Sequence, residues 1–374
     1  MTVYSKAYKF RIFPNKSQKK FFKQSFGCSR FVYNHFLDKI KSLSKTNLKS
    51  IKVNQFKNEL KYLKQDYEWL KVIDSISLQA SIEDLNDAML RFFKKQNRFP
   101  RFKSKKNPVK SYTTKMVNNN IQIKNNKIRL PKIGWIRFAK SREIPSDAMI
   151  KRVTVRKNGS GKFFVSINVQ ESMEEFPKTE SIIGVDMGLE YFITDSFGNK
   201  INNERYFRSL ERKLIKEQRK LSRKKHGSSN WYKQKCKVAS VHEKIANKRM
   251  DFQHKMSTDI VKNHDVIGIE DLSISNMLKN KRLSKSIQDA SWSEFATMLV
   301  YKAEWYGKQL IKVGKTFPSS QLCSSCGEKN SKTKDLKVRD WICKHCHTPH
   351  DKDINAAINI KNEAERLLSE KKAA

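Results

Sequence analysis

The chain has 374 residues, 38% of them hydrophobic, enough for two or three domains with a sizeable core. No window approaches the roughly 18 consecutive apolar residues of a membrane span, and the opening "MTVYSKAYKFRIFPNKSQKKFF" has neither an apolar h-region nor a cleavage site, so a cytoplasmic, DNA-associated location is expected. Seventy-eight Lys and Arg against 37 Asp and Glu leave a net charge of +41, which repels itself unless a polyanion neutralises it and points to nucleic acid rather than a membrane surface.

Residues 4–13 alternate, with Tyr8, Phe10 and Ile12 on one side and Lys9 and Arg11 on the other, which predicts a strand ended by Pro14. From about 16 to 96 the apolar spacing is helical, as in Leu60, Leu63, Leu70 and Ile73, then Leu78, Ile82, Leu85, Met89 and Phe92. Gln79 lies in this stretch; it is a candidate adenine contact or simply part of a polar helix face. The loop "KKQNRFPRFKSKKN" interleaves cations with aromatics. Arg98, Arg101 and Lys103 are candidate nucleic-acid contacts there, beside rings that can stack on unpaired bases.

Strand patterns resume at 121, where "IQIKNNKIRL" predicts a hairpin turning at Asn125-Asn126, and "VTVRKNGSGKFFVSINV" predicts a second turning at Asn158–Gly161. With the N-terminal strand these predict an OB-like β-barrel over 1–15 and 110–172, interrupted by a helical insertion at 16–109. The acidic run 171–181 reads as a linker. "SIIGVDMGLEYFITDSFGNKI" then predicts two strands with turns at Gly188 and Gly198-Asn199. A helical pair is expected over 203–263, broken near "KKHGSSN", its second arm striped by residues 238, 241, 245, 252 and 256. "DVIGIEDL" predicts a strand, "WSEFATMLVYKAEWYG" a helix, and residues from 353 a last helix.

Two Cys-x-x-Cys pairs, Cys323/Cys326 and Cys343/Cys346, stand sixteen residues apart (327–342). That is the paired-knuckle spacing of a tetrahedral Cys₄ zinc site, and the intervening segment has too few apolar residues to fold without metal. Four thiolates leave no open position for a substrate, so the zinc would be structural. His345, His347 and His350 are alternative ligands. Cys343-x-x-Cys346-His347 also matches a haem-attachment pattern, but that reading strands the first pair and requires an exported protein.

Asp186 ends the apolar run "SIIGV", Glu270 ends "VIGI", and Asp353 opens the last helix. Three acids at the edges of core elements suggest a divalent-metal site, with Mg²⁺ the natural occupant of carboxylate, water and phosphate oxygens. Each acid also has a plainer reading: Asp353 as an N-cap, Glu270 at a loop start, Asp186 in a turn. Asp195, Asp271 and Asp351 are acids of the same type. Composition and spacing leave these readings level with a metal-dependent nuclease.

The stretches "GVDMGLEYFITDSFG", "VIGIEDLSISNM", "SSQLCSSCG" and "HDKDINAAINI" resemble the split RuvC motifs of TnpB, the transposon-encoded RNA-guided DNA endonuclease family related to type V CRISPR effectors. "CSRFVYNHFL", "FPRFKSK", "LPKIGWIRF", "DFQHKMS" and "DASWSEF" extend the resemblance over nearly the whole chain. It implies an α/β multidomain protein with an RNase H-like (RuvC) nuclease domain over 181–317 and 351–374, and a zinc module inserted at 318–350. It also implies that Asp186, Glu270 and Asp353 are catalytic acids binding Mg²⁺, with two ions expected, while Cys323, Cys326, Cys343 and Cys346 hold structural Zn²⁺. Arg339, between the knuckles, is either a contact to the scissile strand or a surface strand residue. The barrel and helical insertion would bind guide RNA and double-stranded target DNA, as monomer or dimer, reading a short motif beside the target. Two alternatives stand beside this reading: a RuvC-like nuclease or transposition protein acting without a guide RNA, and a nuclease-inactive RNA-guided DNA-binding repressor. The chain departs from the family at Cys346-His347, where Cys-Gly is usual.

Overall fold

The computed structural model describes residues 2–42, 53–335 and 337–373, which divide into two compact units, Thr2–Ser172 and Met173 onward. In the first unit, β1 (Val3–Ile12) is followed by α1 (Lys16–Lys41), α2 (Val53–Asp66) and α3 (Ser75–Phe93). Helix α1 starts where expected because Asn15 and Gln18 form a capping box, each side chain bonding the other's backbone N–H. The apolar stripe read from the sequence is the core of this helical layer: Leu60, Leu63, Leu70, Ile73, Leu78, Ile82, Leu85 and Met89 are buried together with Val32, Phe36 and Leu37 of α1.

Strands β2 (Lys110–Lys115), β3 (Gln122–Lys124), β4 (Lys127–Leu130), β5 (Gly134–Arg137), β6 (Met149–Lys157) and β7 (Phe163–Ser172) complete the unit. They form a four-stranded sheet of order β1-β7-β6-β2 and a three-stranded sheet β3-β4-β5, with a single bridge from Ile12 to Phe138. Both expected hairpins are present, and Asn125 takes the left-handed conformation its turn requires. Glu171, expected in a linker, instead lies in the last two residues of β7 as a buried carboxylate that accepts hydrogen bonds from Lys6 Nζ (2.7 Å) and Tyr8 Oη (2.8 Å).

The second unit holds β8 (Ile182–Asp186), β9 (Tyr191–Asp195), β10 (Lys200–Asn202), α4 (Tyr206–Ser222), α5 (Ser229–Asn263), β11 (Val266–Glu270), α6 (Ile274–Met277), α7 (Ser284–Ala290), α8 (Trp292–Trp305), β12 (Gln309–Val313), β13 (Asp340–Ile342), β14 (Pro349–Asp351) and α9 (Lys352–Ala373). Its main sheet has the order β10-β9-β8-β11-β12, in which β8, β11 and β12 are parallel. The remainder of the expected linker is an anchor: Phe176 stacks on Tyr306 at 3.9 Å, and the Thr179 and Glu180 amides donate to Asp265 Oδ2 at 2.8 and 2.7 Å.

Side chains alternate along β8 and β11, and this alternation positions the site. Ile183, Val185, Ile267 and Ile269 face Ile260 and Val261 of α5 and Phe295 and Leu299 of α8. Gly184 and Gly268, directly paired across the two strands, face the other way, toward α9. A Cβ on Gly184 would overlap the Ala357 carbonyl oxygen, and one on Gly268 would lie 2.9 Å from Ala364 Cβ and 3.0 Å from Ile360 O. The two glycines are therefore a lane in which the helix rests backbone against sheet. Two residues further along each strand, on the same face, come Asp186 and Glu270.

Candidate active site

Asp186 and Glu270 end neighbouring parallel strands, the end of a parallel sheet at which ligands bind in open α/β folds. Asp353 reaches the same place from the first turn of α9, which the glycine lane holds against those strands. Asp186 feels the other two: burial pushes its carboxyl well above its usual range, and Glu270 and Asp353 push it further, against partial relief from Lys352 and Arg339. Burial also raises Glu270, whose Oε1 accepts a hydrogen bond from Ser319 Oγ, and it raises Asp353 despite the nearby Arg339. Arg339 Nη1 donates to both oxygens of Asp353 at 3.2 Å, while its Nη2 pairs with Glu190.

The acids of similar type have separate partners. Asp351 is the helix cap: its Oδ1 accepts from the amides of Asp353 (3.1 Å) and Ile354 (3.0 Å), and its Oδ2 pairs with Lys200 at 2.5 Å. Asp353 is thus free of capping, and its carboxylate faces Arg339. Asp195 closes the turn before β10 by accepting from the amides of Phe197 and Asn199, both at 2.9 Å. Asp271 pairs with Lys315 at 3.3 Å.

Cys323, Cys326, Cys343 and Cys346 have sulfurs within 4.8 Å of one another. Cys323–Cys346 and Cys326–Cys343 are each 3.6 Å apart. A tetrahedron with Zn–S bonds of about 2.3 Å has edges of roughly 3.8 Å, so the thiols fit a zinc ion with little adjustment. Each knuckle turns back on itself, Gly327 N–H to Cys323 O and His347 N–H to Cys343 O, and both turning residues have positive φ, +76° and +56°. The usual glycine after the second knuckle thus has a steric reason, and His347 occupies its place in the left-handed region. His345 and His347 are exposed; His350 lies with Nε2 3.0 Å from Cys323 Sγ and its ring against Trp341 at 4.6 Å. Among the described residues the three carboxylates are not gathered as closely as the thiols. Their donor type suits a hard divalent cation, which would also relieve their mutual repulsion.

The cysteine module is tied to α9 by residues that periodicity did not single out. Asn355 Nδ2 donates to Leu322 O (2.7 Å), Asn355 Oδ1 accepts from the Ser324 amide (2.9 Å), and Asn359 Nδ2 donates to Ser319 O and Leu322 O (both 2.8 Å). Both asparagines are buried, and their i, i+4 spacing in "DINAAINI" was the available signal. Ser319, which holds Glu270, is on the same stretch of chain, so the knuckles, Asp353 and Glu270 form one connected assembly.

The remaining predicted residues lie in the first unit. Gln79 is exposed on α3 and lines a groove with Lys57, Lys61, Lys64 and Lys71. Arg98 and Arg101 are exposed in the loop after α3. Lys103 is pinned by a two-way backbone pair with the Asn34 side chain (2.8 and 2.9 Å), and its ammonium sits 3.9 Å over the Tyr33 ring and 3.8 Å from Asp84.

Comparison with known proteins matches residues 164–281 to the OrfB_IS605 family, described as "Probable transposase". Residues 292–360 match a Cas12f1-like TNB domain and 1–49 a helix-turn-helix domain. A Streptomyces pristinaespiralis protein named an RNA-guided DNA endonuclease is 36% identical over 96% of this chain and 89% of its own length. The Escherichia coli K12 protein InsQ, which carries the same description, is 33% identical over 97% of this chain and 93% of its own. The fold is similar to the Cas12f1 chain of a Cas12f1–sgRNA–target DNA complex, with a TM-score of 0.53 at 13% identity over 96% of this chain and 99% of that one. On these end-to-end matches the chain belongs to the TnpB family, the OrfB_IS605 proteins.

Proposed function

We propose that this protein is an RNA-guided DNA endonuclease that hydrolyses target DNA in a Mg²⁺-dependent, RuvC-type site beside a short adjacent motif. One observation carries the reading: Asp186, Glu270 and Asp353 converge from three separated elements, all three raised by burial, and Glu270 and Asp353 near enough to raise Asp186 further. At neutral pH a carboxylate set destabilised in this way is an arrangement that a bound divalent cation makes favourable. Such cations supply an activated water and stabilisation of the leaving oxygen. Asp186, Glu270 and Asp353 would hold them, Ser319 would orient Glu270, and Arg339 would exchange its ion pair with Asp353 for the scissile phosphate. The four cysteines would hold structural zinc and, through Asn355 and Asn359, fix the first turns of α9.

The first unit, whose strands we read as an OB-like barrel with a helical insertion, would bind guide RNA and the guide–target duplex. The +41 charge supplies salt-dependent phosphate affinity, with Gln79, Arg98, Arg101 and Lys103 as contacts, while base pairing carries sequence specificity. The test is to sequence RNA that co-purifies with the Asp186→Ala protein and then cut guide-matched plasmid with the parent protein. One discrete RNA with a constant part, and Mg²⁺-dependent cutting that Asp186→Ala, Glu270→Ala or Asp353→Ala each reduces by at least about a thousandfold, is expected. A smear of cellular RNA, with cutting indifferent to it, would favour a nuclease that uses no guide.

A further inference from the structure

A cavity of about 250 Å³ opens beside Glu270, between the ends of β11 and β12 and the outer face of α8. We infer that it seats one unpaired nucleobase of the strand being cut, that of a nucleotide flanking the scissile phosphate; the inference rests on the functional reading above. Three properties lead there. The first is contiguity: the cavity lies on the α8 side of the sheet, and Glu270, whose side chain shares the other face with Asp186, lines it at the strand end, so a nucleotide with its phosphate on the acids brings an adjoining base over the end of β11 to the opening.

The second is size, since the cavity is smaller than the ~300–1,000 Å³ that accommodates drug-sized ligands and suits a single ring system. The third is chemistry. Met187, Ile269, Leu272 and Val300 supply apolar walls, and Ser293 and Thr297 on α8 supply hydroxyls. Two carboxylates, Glu270 and Asp271, line the cavity against one cation among the described lining residues, Lys312. That balance disfavours a phosphate. A neutral heterocycle, flat against apolar walls with its polar edge at the hydroxyls, satisfies it. The base must leave its stack to enter, which is easiest in the displaced or single-stranded DNA that a guided nuclease creates. Ala296, between Ser293 and Thr297, sets the depth of the seat because any larger side chain there would project into the space.

The experiment uses guide-loaded full-length protein in single-turnover cutting of a matched target, with an abasic site placed in turn at each of the two nucleotides flanking the cut. One of these should slow the parent protein about tenfold, the scale of a lost base-stacking contact. Ala296→Phe, with the seat filled, should cut intact DNA about tenfold more slowly and show no further penalty from the abasic site. Thr297→Trp, at an exposed position, should behave likewise and guards against misfolding of the first variant. Equal cutting of intact and abasic DNA by the parent, or the full abasic penalty in both variants, overturns the inference and leaves the guided-nuclease reading standing. A parent protein that cuts no guide-matched DNA overturns that reading, and this inference with it.

Discussion

The four thiols and the three carboxylates are both clusters of anionic donors, but they are assembled differently. The cysteines meet through two tight turns and the short β13–β14 hairpin, with sulfur pairs already at 3.6 Å. The acids come from two strands and a distant helix, and each of two is held by its own partner, Glu270 by Ser319 and Asp353 by Arg339. A closed set of soft donors fixes a loop that could not fold alone. An open set of hard donors, kept apart and repelling, retains room for cation, water and phosphate. The contrast predicts that removing a donor has opposite effects on stability at the two sites.

The largest effect is expected on the thiol side. Cys343→Ser should abolish zinc binding, forfeiting metal-binding free energy on the order of 10 kcal/mol. Residues 318–350 should become protease-sensitive and cutting should disappear, because Ser319, Asn355 and Asn359 link the knuckles to Glu270 and Asp353. Unchanged zinc content by elemental analysis would remove the distinction between the sites. Next comes Gly184→Ala, which must push α9 off the sheet; a loss of roughly 3 kcal/mol in denaturant melts and of most cutting is expected. Gly314→Ala, where an added Cβ meets nothing within 4 Å, is the control and should shift stability by less than about 0.5 kcal/mol.

On the carboxylate side the sign reverses. Asp186 has its protonation raised by burial and by Glu270 and Asp353, so the folded protein is favoured with this group neutral and loses that preference as pH rises from the ordinary value of 3.8 through the raised one. Asp186→Asn should therefore melt at a higher temperature than the parent in chelator at neutral pH, with the gap closing toward acid and cutting lost throughout. A variant that melts lower at neutral pH would show that the carboxylate stabilises the fold. The smallest effect is at the second knuckle: His347→Gly should stabilise by about 1 kcal/mol by relieving a left-handed backbone. No gain in thermal melts would mean that the histidine ring compensates.

Local periodicity made the elements legible: the alternation of Tyr8, Phe10 and Ile12 is β1, and the stripe from Leu60 to Met89 is the helical core. The cysteine spacing likewise specified a cluster, since four thiols in two tight turns have few ways not to meet. Long-range pairing was beyond reach. Nothing in residues 3–12 states that their partner is 163–172; β2 has one large apolar residue, Tyr112, in six, and β5 and β12, at four and five residues, are too short to show a period. For the acids, strand ends marked Asp186 and Glu270, but choosing Asp353 over Asp351 required either the family resemblance or the observed cap on Asp351. Ser319, Asn355 and Asn359 escaped notice because buried polar linkers have no periodic signature, only partners that the fold supplies.

The glycine lane has a mechanical consequence. Most helices meet a sheet through side chains, which act as compliant pads whose rotamers absorb small displacements. At Gly184 and Gly268 there is no pad, and the α9 backbone bears directly on the strands that carry Asp186 and Glu270. The third acid is therefore coupled to the other two by a stiff joint. A change in the twist of the sheet bears on α9 through its backbone, so the spacing of the acids follows backbone geometry more than side-chain rotamers.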